Sequence, residues 1–368
     1  MYLYKKLSNT VSVRLNILRS LAAILVLLMH VKMYYFDSFN NLNPHYKNLV
    51  NYILFFLTRL GHEAVLIFFV LSGYLVGGNF LIEFIEKRAD YKKYFINRLT
   101  RMWVVLFPTL ILVILVEYLR YWITGNAVFI NTKISSYNFW GNLFFLQTIL
   151  VPFLGSNSAL WSLANEFWYY IFWPLLLLPF ALKFTMTIKI IFFLIIFFFI
   201  YRLMPEIAKL FPIWILGALV RLVKIQIKVN WATDLFSLLM LLLFIYIANR
   251  YVNLSTKYLL GVGIATSLLI WQNIQESSFC KFEKIATFFS NFSFSLYAIH
   301  FVIVELIIDF LNIYFHLERN GKIPGIQNWL IYLLIVLVTV TFSYLFYLIT
   351  EKNTYKVRTL MINLVMKN

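Results

Sequence analysis

The sequence predicts an all-α integral membrane protein that crosses the bilayer several times. Hydrophobic residues occupy 62% of the 368 positions and charged residues only 13%, whereas soluble domains have about 45–50% and about 25%. The mean hydropathy of +0.80 points the same way. So apolar a composition argues against a disordered chain and against a nucleic-acid-binding protein, since neither needs so many apolar side chains.

Ten stretches come close to the length of about 20 mostly apolar residues that a membrane-spanning helix needs. In chain order, the predicted spans are 15–36, 62–82, 102–123, 160–182, 187–202, 207–224, 232–250, 257–273, 286–314 and 327–350. The first has a basic start like a signal peptide, but it continues into His30 and Lys32 without a small-residue cleavage site. An uncleaved helix is therefore favoured. We expect the segments 45–60 and 124–159 to lie at the membrane interface.

The basic residues are distributed unevenly between alternate loops. If the N-terminus lies inside, 21 of the 32 Lys and Arg residues fall in the regions that become cytoplasmic, namely 1–19, 82–101, 183–189, 221–231, 274–285 and 351–368. Cytoplasmic loops of membrane proteins accumulate Lys and Arg, which explains the net charge of +17 without an anionic partner. We therefore predict that both termini are cytoplasmic.

The sequence offers no pattern that is typical of a metal site. Its one cysteine, Cys280, cannot form an internal disulfide or a multi-cysteine metal centre. The five histidines show no paired ligand spacing. We expect no bound metal.

Seven ionisable residues within the predicted spans are candidates for function. Insertion scales give a charged residue at mid-span a penalty of roughly 2.5–3.5 kcal/mol, so such residues usually face a cavity or a partner. The seven are Arg19, His30, Glu63, Glu166, His300, Glu305 and Asp309.

Arg19 and His30 lie on one stripe of the first span, because eleven residues make three helical turns plus about 20°. The two side chains are separated by roughly 16 Å along the axis, which places His30 well inside the bilayer. A histidine there can serve as a general base at neutral pH. The alternative is a neutral histidine that is hydrogen-bonded to a neighbouring helix.

Three further residues, from the second and third spans, extend this candidate cluster. Arg98 and Arg101 share a helix face and suit bidentate binding of phosphate, but ordinary cytoplasmic anchoring is the favoured explanation when the two residues are taken alone. Ser72 lies mid-span beside Gly73, where small residues usually serve close helix packing. A nucleophilic role for Ser72 lacks the spacing of a nucleophile elbow.

Glu166 and His300 are predicted at a depth similar to that of His30. Glu166 lies about one and a half turns into the fourth span, and His300 lies at mid-depth in the ninth. The residues alone therefore predict a polytopic protein with a buried polar cluster that is open to the cytoplasm.

The order of these motifs resembles the acyltransferase 3 family of membrane acyltransferases. The resemblance covers about residues 12–355, nearly the whole chain. The blocks that carry it are Arg19-x10-His30, Phe68–Leu75 (FFVLSGYL), Arg98-x-x-Arg101, Trp161-Ser162-Leu163 with Glu166, Ser293–His300 and Thr350-Glu351-Lys352.

The resemblance implies an enzyme that transfers an acyl group, most often acetyl from acetyl-CoA, to hydroxyls of extracytoplasmic or lipid-linked polysaccharides. It implies a single transmembrane acyltransferase domain over 1–368, with short cytoplasmic tails at 1–14 and 351–368. The chain resembles the stand-alone type without a fused hydrolase-like domain, in a bacterial inner membrane. Acetyl-CoA or another acyl-CoA would be the donor, and no permanently bound cofactor is implied.

The resemblance also suggests roles for the candidate residues. Arg98 and Arg101, with Ser72 near them and Arg19 as a third cation, would bind the coenzyme A phosphates and arm. His30 would either deprotonate the sugar hydroxyl or accept the acyl group itself. Glu166 would orient the His30 imidazole. The acceptor would come in past the loop 124–159 and bind at Trp161 and His300.

Two other classes of protein compete with the enzyme. A transporter or flippase for a glycan or lipid precursor would also have many spans with buried charges, but it should show an internal repeat or paired broken helices. The prolines that could break helices are Pro174, Pro179, Pro205 and Pro212. A purely structural membrane partner would not need the alignment of Arg19 with His30.

Overall fold

A computed structural model describes residues 9–223, 231–251, 253–271, 283–317 and 321–366. Cys280 and most of the predicted loops 221–231 and 274–285 lie outside the described residues. Within the described chain every regular element is helical, and the only extended pairing is two isolated bridges, Phe36 with Lys322 and Gln147 with Val151. The predicted all-α class is confirmed for this part of the chain.

The helices follow one another with short connections. Their bounds are α1 Asn9–Tyr35, α2 Leu49–Arg59, α3 Gly61–Ser72, α4 Gly78–Ile85, α5 Tyr91–Thr124, α6 Val128–Lys133, α7 Ser136–Leu143, α8 Trp161–Ala181, α9 Met186–Leu203, α10 Pro205–Ala208, α11 Phe211–Val220, α12 Trp231–Arg250, α13 Leu254–Trp271, α14 Glu283–Asn291, α15 Ser293–Phe315, α16 Ile326–Ile349 and α17 Thr354–Met366. A π-helical turn at Gly73–Gly77 joins α3 to α4 without a break.

Seven segments of the described chain are long and apolar enough to cross a membrane. They are Val11–Tyr35, Leu49–Ile85, Tyr91–Thr124, Met186–Leu203, Leu254–Trp271, Ser293–Phe315 and Ile326–Val365. Each of the ten predicted spans overlaps a helix, but α8, α11 and α12 do not meet this criterion. The polar residues of α8 lower its hydropathy, and α11 has only ten residues. For α12 the criterion covers only the fully described stretch Leu235–Ile247, which is apolar but shorter than a span. The chain is thus a polytopic helical protein.

The two segments expected at the interface are short helices and turns. Segment 45–60 forms α2, and the stretch 124–159 contains α6 and α7. Of the four prolines that could break helices, Pro174 and Pro179 lie within a continuous α8. The other two, Pro205 and Pro212, lie in the first turns of α10 and α11, where proline is tolerated.

Helix α15 is the centre of the bundle. It packs against α1, α5 and α16, and most of its residues from Ser293 to Asp309 are buried. By contrast, α9 buries only Ile200 and exposes its other large apolar side chains, as a helix that faces lipid does. The functional side chains of α15 therefore lie inside the protein.

Glycines allow α3 and its π turn to lie directly against α11. A Cβ atom on Gly73 would stand 1.9 Å from the carbonyl oxygen of Trp214, and one on Gly217 would stand 2.1 Å from that of Val70. Backbones approach this closely only where both helices carry small residues. The expectation that small residues at mid-span serve packing holds for Gly73.

A buried ion cluster joins α5 to α15 at the end of the bundle away from Arg98. The Arg120 guanidinium lies 3.1 Å from Glu117, 2.5 Å from Glu305 and 2.7 Å from Asp309. The Ser156 backbone N–H also donates to Glu117 at 2.8 Å. Glu305 and Asp309, which were expected to need a partner within the membrane, thus share Arg120.

Replacing Arg120 by methionine should lower the free energy of unfolding by about 3–5 kcal/mol, because three buried carboxylates would lose their cation. Thermal or steric-trap unfolding in detergent measures this loss. The matched control is Lys209→Met, since its ion pair with Glu206 is exposed and such pairs contribute about 0–1 kcal/mol. Equal losses in both variants would contradict the structural role of the cluster.

Candidate active site

A small cavity brings together five of the predicted site residues from four helices. Its volume is about 110 Å³, and α1, α3, α5, α8 and α15 enclose it. The five predicted residues that line it are Arg19, Ser72, Arg98, Arg101 and Glu166. We call this space the arginine cavity.

Its cations come from the start of α5 and from α1. Arg98 and Arg101 are one turn apart, so both side chains reach the same wall, and Arg19 faces them from α1. The Nε atom of Arg98 is buried and has no hydrogen-bond partner among the described residues. A buried donor without a partner carries a free-energy penalty, which an anion in the cavity would remove.

A directed chain of hydrogen bonds crosses the arginine cavity at Glu166. The Tyr170 hydroxyl donates to the Glu166 carboxylate, so it accepts from the Ser72 hydroxyl, 3.0 Å away. Ser72 in turn accepts from the indole N–H of Trp214 at 3.0 Å. Because its proton is committed to Tyr170, Ser72 is poorly placed to act as a nucleophile.

A second pair of hydroxyls closes the far side of the arginine cavity. Tyr297 donates to the carbonyl of Ala159 at 2.9 Å, and Ser162 lies 2.6 Å from the Tyr297 oxygen. Both Ser162 and Tyr297 line the cavity. This wall is next to His300, whose ring centroid is 5.7 Å from that of Tyr297.

His300 and His30 form a hydrogen-bonded pair between α15 and α1. His300 Nε2 lies 3.0 Å from His30 Nδ1, and the ring centroids are 4.9 Å apart. His300 Nδ1 faces the carbonyls of Tyr297 at 2.8 Å and Leu296 at 3.1 Å. His30 Nδ1 also faces the carbonyl of Val26 at 2.9 Å.

These partners assign the protons when both rings are neutral. Carbonyl oxygens only accept hydrogen bonds, so Nδ1 of His300 carries its proton and Nε2 is an acceptor. Nδ1 of His30 then faces two acceptors and also carries the proton. The lone pair of His30 is left on Nε2, the nitrogen that can take a proton or attack a carbonyl.

The structure does not pair Glu166 with His30. Glu166 accepts from Tyr170, one turn further along α8, and faces the arginine cavity. The hydrogen-bond partners of His30 are His300 and Val26. Among the described residues the imidazole is therefore held by His300 and Val26 rather than by Glu166, because α8 packs beside α3 and α5 whereas His30 points toward α15. The orienting role of Glu166 stays a prediction without a direct contact behind it.

Trp161 and His300, the two predicted acceptor-binding residues, contact different neighbours. The Trp161 ring packs edge-on against Phe69 with centroids 6.1 Å apart, while His300 contacts His30. Neither residue lines the arginine cavity.

Two charged residues near this cavity were not singled out from the sequence. Glu351 accepts hydrogen bonds from the backbone N–H and hydroxyl of Ser295, at 3.1 and 2.9 Å, and its charge acts on Arg101 and Arg19. Arg358 on α17 lies within electrostatic range of Arg98 and Arg101. The block Thr350-Glu351-Lys352 was the available signal for Glu351. Nothing local distinguished Arg358 from other basic residues of the tail.

The comparisons with known proteins agree with the motifs. The model of the acyltransferase domain of the acyltransferase 3 family matches residues 12–348. Searches of curated proteins and of solved structures give no match. The resemblance seen in the motif order is thus confirmed over nearly the whole chain.

Nitrogen-15 NMR on histidine-labelled protein should show His30 and His300 as neutral rings with the proton on Nδ1. The chain has five histidines, so His30→Gln and His300→Gln variants assign the two signals. A His316→Gln variant is the control, since it should remove one signal and leave this pair unchanged. A proton on Nε2 of His30 would contradict the assignment.

Proposed function

The chain belongs to the acyltransferase 3 family, and from this premise we propose that it transfers acetyl from cytoplasmic acetyl-CoA to a hydroxyl of an extracytoplasmic or lipid-linked polysaccharide. The family and the seven long apolar helices make it a multi-pass membrane acyltransferase. The donor, acceptor and orientation are the proposed part. The observation that carries the proposal is the contact between the wall of the arginine cavity and the His30–His300 pair.

The arginine end of the bundle is assigned to the cytoplasm. The turn before α5 carries Lys87 and Arg88, and the first turn of α5 carries Lys92 and Lys93. Such accumulations of basic residues mark the cytoplasmic side. In this orientation both termini lie inside and all ten predicted spans cross. The family's usual setting makes a bacterial inner membrane the expected location.

Coenzyme A suits the arginine cavity because its phosphates match the arginines on one side and its long arm can extend to the hydroxyl wall at Tyr297 on the other. The phosphates would bind Arg98, Arg101 and Arg19, since guanidinium groups bind phosphate bidentately. The arm would pass Ser72 and the hydroxyl wall at Tyr297, which brings the thioester toward His30. Glu166 and Glu351 would set the arginine side chains by charge.

The chemistry then uses the lone pair on His30 Nε2. In direct transfer the sugar oxygen attacks the thioester carbonyl carbon while Nε2 takes the hydroxyl proton. The carbon–sulfur bond breaks, and the leaving thiolate takes the proton back from the imidazolium. In the two-step route Nε2 attacks the thioester carbonyl carbon, the carbon–sulfur bond breaks and the coenzyme A thiolate leaves. The sugar hydroxyl then attacks the acyl-imidazole, the carbon–nitrogen bond breaks, and the hydroxyl proton passes through the freed Nε2 to the thiolate.

His300 acts as a positioning residue in both routes. It accepts from His30 Nδ1, so it fixes which nitrogen carries the lone pair and supports the positive charge that develops on His30. This is the role that a carboxylate has in a catalytic triad, filled here by a neutral ring.

A His30→Gln variant should lose transfer by at least about 10²–10⁴-fold while it still binds coenzyme A. Mass spectrometry of surface glycans from cells with the intact gene, a deletion or this variant measures the acyl increment. His45→Gln is the matched control, because His45 is exposed and outside both the pair and the arginine cavity. Normal acylation by His30→Gln would overturn the assignment. If the glycan profiles of all strains are identical but glycan export falls when the gene is deleted, the transporter is favoured instead.

An Arg98→Gln/Arg101→Gln variant should bind coenzyme A at least about tenfold more weakly, since each charge-assisted hydrogen bond is worth about 1.5–3 kcal/mol. Equilibrium binding to purified protein in nanodiscs, at two salt concentrations, measures the loss. Lys92→Gln/Lys93→Gln is the matched control at the start of the same helix, with exposed side chains outside the cavity. An equal loss in both variants would point to general attraction rather than a phosphate site.

A further inference from the structure

A second and larger cavity opens at the other end of the bundle, beside His30. Its volume is about 720 Å³, within the range of about 300–1,000 Å³ that is typical of small-molecule sites. The side chains come from α1, the turn after it, α2, α3, α12 and α13. We call this space the outer cavity.

The outer cavity is lined by an excess of positive charge and by aromatic rings. Among the described lining residues the cations are Lys32, Arg59, Arg250 and Lys257, and the acidic residue is Glu63. Its rings include those of Phe39, Tyr52, Phe55, Phe56 and Tyr246, together with the imidazole of His62.

Membrane orientation does not explain these cations. Lys and Arg accumulate on the cytoplasmic side, which the proposed topology places at the opposite end. Only 11 of the 32 Lys and Arg residues lie outside the predicted cytoplasmic regions, and four of those 11 line this one cavity. Cations gathered in one cavity on the disfavoured side indicate an anionic ligand.

The outer cavity lies beside His30, although the His30 side chain is not among its lining residues. On α1, Met29, Lys32 and Met33 line it and flank His30 in sequence. His62, another lining residue, lies within electrostatic range of His30. A ligand in the outer cavity would thus meet His30 from the side opposite to Tyr297 and the arginine cavity.

Helix α2 forms a rim that suits an amphiphilic ligand. It exposes Leu49, Val50 and Ile53 to the surroundings at 74%, 65% and 47%, while Phe55 and Arg59 of the same helix line the cavity. An interfacial helix typically turns its apolar face to lipid and its charged face to polar groups. The cavity is therefore accessible at the level where a saccharide attached to a lipid would lie.

We propose that the outer cavity binds the acceptor, and that the acceptor is an anionic saccharide that carries a phosphate or a carboxylate. The proposal rests on the acyl-transfer function above and specifies its acceptor. Arg250, Lys257, Lys32 and Arg59 bind the anion, and the aromatic rings hold the sugar with one hydroxyl at His30 Nε2. The acceptor then approaches between α2 and α12 rather than past Trp161.

Binding measurements on the full-length protein in nanodiscs test this without depending on catalysis. The probes are a fluorescent hyaluronan hexasaccharide, which carries carboxylates, its carboxyl-reduced neutral form, and farnesyl diphosphate as a lipid phosphate. The test variant is Arg250→Gln/Lys257→Gln. The control Lys133→Gln/Arg202→Gln removes the same charge from outer residues that do not line the cavity. Coenzyme A binding checks that both variants are folded.

We expect the wild type to bind at least one anionic probe about tenfold or more tightly than the neutral sugar. The Arg250→Gln/Lys257→Gln variant should lose this preference, and the Lys133→Gln/Arg202→Gln control should keep it. Displacement of the hexasaccharide by farnesyl diphosphate would identify a lipid-linked phosphate as the anion. Binding of the hexasaccharide alone would identify a sugar carboxylate. Equal affinity for charged and neutral probes, or an equal loss in both variants, would overturn the proposal.

The same variants separate this proposal from the function on which it rests. If Arg250→Gln/Lys257→Gln acylates surface glycans at the wild-type rate while His30→Gln does not, the enzyme stands and the anionic acceptor is wrong. If the wild type neither binds coenzyme A nor acylates any glycan, the proposed function itself fails.

Discussion

Every charged side chain inside this apolar bundle must meet either an opposite charge or a cavity, and the rest of the structure depends on which it meets. Arg120 meets three carboxylates, and the cluster joins α5 to α15. Arg98 lines a cavity and keeps a buried Nε donor without a partner among the described residues. The first arrangement stabilises the fold, whereas the second leaves a donor for an anion that is not part of the chain.

Helix α15 sets the relative positions of all these groups. Its Tyr297 contacts Ser162 at the wall of the arginine cavity, and one turn later His300 contacts His30 on α1. Further along, Glu305 and Asp309 bind Arg120 on α5. Because a helix is rigid over four turns, the ion cluster holds the histidine pair in register with the cavity. The ion cluster that stabilises the fold and the proposed site thus both depend on residues of α15.

Helix α1 connects the two cavities. Arg19 lines the arginine cavity, and Lys32 lines the outer cavity at the other end of the helix. His30 lies close to the outer cavity and contacts His300, whose neighbour Tyr297 lines the arginine cavity. A donor and an acceptor bound at opposite ends would therefore meet at one imidazole, so that neither has to cross the bundle. This arrangement suits acyl transfer across a membrane better than transport of a whole glycan.

The sequence alone determined the helical membrane class, the alignment of Arg19 with His30 and the shared face of Arg98 and Arg101. Composition and helical periodicity suffice for these three features, because each depends only on the residues of a single helix and on whether lipid or water surrounds it. The tertiary structure decided that His30 pairs with His300 and not with Glu166, and that Glu351 and Arg358 lie near the arginines. His30 and His300 are 270 residues apart. Periodicity fixes the side of its own helix on which a residue lies, but only the packing of the helices decides which other side chain it meets.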